Sequence, residues 1–176
     1  MVIITLRERR FMYINEKEKY PDGYLELIFG PRWTYISVVR KFLRQFLLVT
    51  LEHGKWADLI SISASELLEN AIKYASEDGT KVKVIYYKEK NFLKLYVENF
   101  STEKSINILK KEIEKVMTGP SEKMYLDKMV EASTRNDGGS QLGFARIRYE
   151  TNANIEVKID ESLVRVTLNF DLNYEV

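Results

Sequence analysis

The stretch that most constrains this chain runs from Ala57 to Ala75. At helical spacing, Ala64, Leu67, Leu68, Ala71, Ile72 and Ala75 fall on one face. Glu66, Glu69, Asn70 and Lys73 follow the same spacing on the opposite face. One side of this helix is suited to a core. The other gathers two carboxylates, an amide and an amine within about two turns. Taken by themselves, these polar residues read either as a solvated helix face or as the floor of a site.

The segments around it alternate between strand and helix patterns. Val2 to Ile14 is rich in β-branched and aromatic residues and reads as a strand. Pro21-Asp22-Gly23 is a turn, and Tyr24 to Phe29 reads as the next strand. Trp33, Ile36, Val39, Leu43, Phe46 and Leu47 recur at helical spacing to about Leu51, so both Trp33 and Trp56 are expected in helix packing or the core. Lys81 to Tyr87 and Phe92 to Glu98 alternate apolar with polar residues, as in a hairpin with one buried face. Ser101 to Met117 reads as a helix with Ile106, Leu109, Ile113 and Val116 inward, followed by a second helix over Ser121 to Ser133. Arg135 to Gly139 reads as a loop, Leu142 to Glu150 as a helix, and Ile155 to Ile159 with Leu163 to Phe170 as a closing hairpin. This order predicts an α+β fold in a single domain over residues 1–176, a two-layer α/β sandwich.

Composition excludes several function classes. Lys plus Arg is 27 against 26 acidic residues, which gives no electrostatic reason to expect nucleic acid. With no cysteine and a single histidine, His53, thiolate metal sites and histidine clusters are out. No leader and no run of eighteen apolar residues is visible, so the expectation is a cytoplasmic protein without a membrane span.

The run from Glu66 to Ala75, with Glu66 and Asn70 one turn apart, resembles the N-box of the histidine-kinase-like ATPase superfamily, which includes sensor kinases and anti-sigma serine kinases. Gly138-Gly139-Ser140-Gln141-Leu142-Gly143-Phe144 resembles that family's glycine-rich box, which opens a helix beneath the nucleotide phosphates. Backbone N–H groups at such a helix start attract anions, and missing side chains permit close approach. The likeness spans about Tyr24 to Phe170 and is closest to small stand-alone bacterial regulators akin to anti-sigma kinases.

The resemblance implies a Bergerat-type sandwich, with a mixed, mostly antiparallel sheet and helices on one face. It implies ATP and Mg2+ as cofactors, Glu66 as the catalytic base and Asn70 as the metal ligand. Lys73, Asn99, Gly139, Ser140, Gln141, Leu142 and Gly143 would contact the nucleotide. The function implied is a regulator acting on a protein partner of the anti-sigma-antagonist type, as an ATP-dependent serine/threonine kinase or an ATP-gated switch, with a homodimer left open. Two departures carry the alternative, a pseudo-ATPase that holds a protein and no nucleotide. Val97-Glu98-Asn99-Phe100-Ser101 stands where the family has Asp-x-Gly-x-Gly, and Gln141 replaces a glycine.

Overall fold

The computed structural model describes residues 21–30, 32–77, 79–133 and 142–175. The expected strand over Val2 to Ile14 and the loop residues Gly138, Gly139, Ser140 and Gln141 lie outside them.

Among the described residues five strands make one sheet: β1 (Gly23–Phe29), β2 (Thr80–Tyr87), β3 (Phe92–Phe100), β4 (Asn154–Asp160) and β5 (Leu163–Asp171). Their order is β1-β2-β3-β5-β4. Every pairing is antiparallel, so the described sheet is wholly antiparallel and not mixed. The physical reason is local. Consecutive strands meet through the short β2–β3 and β4–β5 connections, and no crossover returns a strand in parallel. The β2–β3 connection contains one 3-10 turn, Lys88–Lys90, closed by Asn91 at φ 44°.

Alternation along the strands decides which face is covered. Val82 and Val84 of β2, Leu93, Leu95 and Val97 of β3, and Val164 to Phe170 at every second position of β5 all point inward and are buried. They form one cluster with the apolar stripes of the helices. On the outward face, Glu98 of β3 is bound by Lys81 at 3.2 Å and by the Arg165 guanidinium across the β5 pairing. This side of the sheet mixes such charged pairs with apolar side chains, Ile28 and Ile85 among them.

The helices are α1 (Trp33–Leu51), α2 (Gly54–Tyr74), α3 (Glu103–Met117), α4 (Ser121–Ser133) and α5 (Gly143–Thr151). The central stretch is therefore helical as expected, beginning earlier, at Gly54. His53 caps it: Nδ1 accepts the Trp56 amide at 3.3 Å. Small residues Ala57, Ser61, Ala64, Ser65 and Ala71 are buried along α2 and let its backbone approach its neighbours. The buried serines do not burden this packing, because Ser61, Ser63 and Ser65 donate to the carbonyls of Asp58, Leu59 and Ser61. Trp56 meets Phe170 of β5 edge-on, with ring centroids 6.1 Å apart.

Trp33 corrects the expectation that both tryptophans pack inside. It is 58% exposed, whereas Ile36, Val39, Leu43 and Leu47 on the same helix are buried. Tyr35, not Trp33, reaches Phe29 of β1, at 6.4 Å between centroids. Trp33 thus points to solvent although Tyr35 and Ile36, in the same turn, pack inward. We expect Leu43→Ala to cost about 2–5 kcal/mol in chemical denaturation, and Trp33→Ser less than about 0.5 kcal/mol. Equal losses would contradict this placement.

Candidate functional site

The C-terminal end of α2 is fixed to the end of β3, and this builds the site. Ala75 forms an isolated bridge with Ser101, and the Ser76 amide donates to the Phe100 carbonyl at 2.9 Å. Asn70 and Tyr74, in the last turns of α2, therefore face Asn99 and Ser101 across a cavity. Val164 and Val166 of β5 and Phe144 of α5 supply apolar walls. Asn99 is 7% exposed, and its Nδ2 donates to Ser101 Oγ at 2.8 Å and to the Phe100 carbonyl at 3.1 Å. Its donor hydrogens are thus spent on the protein.

The last wall is α3. Ser105, Ile106 and Leu109 line the cavity directly. Both ends of this helix are fastened. Thr102 caps its start, Oγ1 accepting the Ser105 amide at 3.3 Å. At the other end, Arg148 of α5 donates from Nη1 to the Val116 carbonyl at 2.7 Å. The remaining cavity is about 20 Å3, room for a single water and little more. Small-molecule pockets run to about 300–1,000 Å3.

Glu66 sits one turn before Asn70 but is engaged elsewhere. Its carboxylate abuts the start of α5, so that a side chain at Gly143 would come within 2.8 Å of Oε2. Arg146 of α5 approaches Glu66 at 3.7 Å and grips Glu150 at 2.9 Å. Burial raises the Glu66 pKa, Glu69 and Glu150 add to the shift, and Arg146 opposes it. Arg146 itself is shifted up, chiefly by its hydrogen bond to Glu150.

The other sequence-derived positions are dispersed. Lys73 is exposed, its ammonium 5.2 Å from the Tyr74 ring centroid, and does not line the cavity. Leu142 caps α5, its carbonyl accepting the Arg146 amide at 2.8 Å. Gly143 is buried as the first residue of α5. Among the described residues no group of three or more His, Cys, Asp or Glu side chains could hold a metal. A magnesium ion at Asn70 would need phosphate oxygens beside it. Arg146, Glu150 and Ser105 carry no role in the sequence reading, and Ser101 enters it only as a departure from the family's box. The Arg146–Glu150 spacing of four was the available signal.

A protein of known structure shares this fold. A chain in the crystal structure of the SiaB–SiaC complex from Pseudomonas aeruginosa matches with a TM-score of 0.61 at 15% identity. The match covers 84% of this chain and 88% of the other. No protein-family model and no curated protein matches. At this identity the likeness to the SiaB–SiaC chain concerns the fold, and no residue role passes across it. No helix among the described residues is long and apolar enough to cross a membrane.

A half-buried carboxyl with a raised pKa is a cost to the native state once it ionises. The cost is absent below the ordinary value of 4.5, where Glu66 is protonated folded and unfolded, and appears as pH rises through the folded value. Glu66→Gln should therefore raise the melting temperature at pH 7, and the gain should vanish below about pH 4. A lower melting temperature at pH 7 would show that the Arg146 contact outweighs burial.

Proposed function

We propose that the protein is a bacterial-type regulator with a histidine-kinase-like, Bergerat-type fold that works by holding a protein partner rather than by turning over nucleotide. One observation supports this reading: Ser105, Ile106 and Leu109, of a helix fastened at both ends, line the cavity beside Asn70 and Asn99. The solved structure of like fold comes from a complex of two proteins, which supports a protein as the ligand. A partner of the anti-sigma-antagonist kind fits the resemblance of the sequence.

A second reading, an ATP-dependent serine/threonine kinase or switch, is favoured by Glu66. Its raised pKa brings it closer to the pH at which a general base works, and Asn70 does line the cavity. That reading requires α3 to leave.

Calorimetric titration with MgATP separates the two. We expect a dissociation constant on the order of 0.1 mM or weaker, about 5.5 kcal/mol. Micromolar binding, abolished by Asn70→Ala while the unliganded melting point stays within a few degrees, would establish the kinase or switch reading instead.

A further inference from the structure

We draw no further inference here: the strongest candidate, the exposed apolar patch of Val38, Phe42 and Val49 on α1, carries none, because nothing among the described residues shows what covers it.

Discussion

The packing of α2 between α1, the sheet and α5 is the constraint on which the remaining structure depends. A helix with neighbours on several sides needs small residues where backbones approach, and Ala57, Ala64 and Ala71 supply them. The buried serines satisfy their hydroxyls within the helix, so the close approach leaves no orphaned donor on them. Once α2 is seated, its end is drawn onto the end of β3 through Ala75 and Ser76. Asn70 then faces Asn99, and Glu66 faces α5. The cavity and the carboxylate cluster are both consequences of how this one helix is held.

The same constraint pulls the N-box pair apart in role. Side chains four apart on a helix share a face, yet Glu66 and Asn70 meet different neighbours because α5 crosses near one and β3 ends near the other. Asn70 lines the cavity, while Glu66, half-buried, lies against Gly143 and Arg146. A lone glycine at the start of α5 makes this possible, since any side chain there would displace the carboxylate. The glycine thus serves an internal carboxylate in this structure, at a helix start of the kind that elsewhere favours anions.

Much of the fold was legible because the signals were periodic. Alternation in Lys81 to Tyr87 and Phe92 to Glu98 marked the hairpin, and the observed register pairs Val82 with Val97 and Val84 with Leu95 on the buried face. The stripe Ile106, Leu109, Ile113 and Val116 marked α3 as amphipathic. Periodicity does not say where such a stripe lands, and that is what determines whether the cavity is open. Trp33 shows the same limit: its spacing matched its buried neighbours, but its side chain is 58% exposed. The network of Arg146, Glu66 and Glu150 joins residues eighty or more apart in sequence, from α2 to α5, so no local pattern announces it.

The central claim is that α3 is a packed wall of the cavity and not a lid over it. Amide hydrogen exchange along Ile106 to Val116, with and without MgATP, measures this directly. The account predicts protection comparable with that of α2, unchanged by MgATP at millimolar concentration. Rapid exchange in α3, or a change in its exchange on adding MgATP, would contradict it.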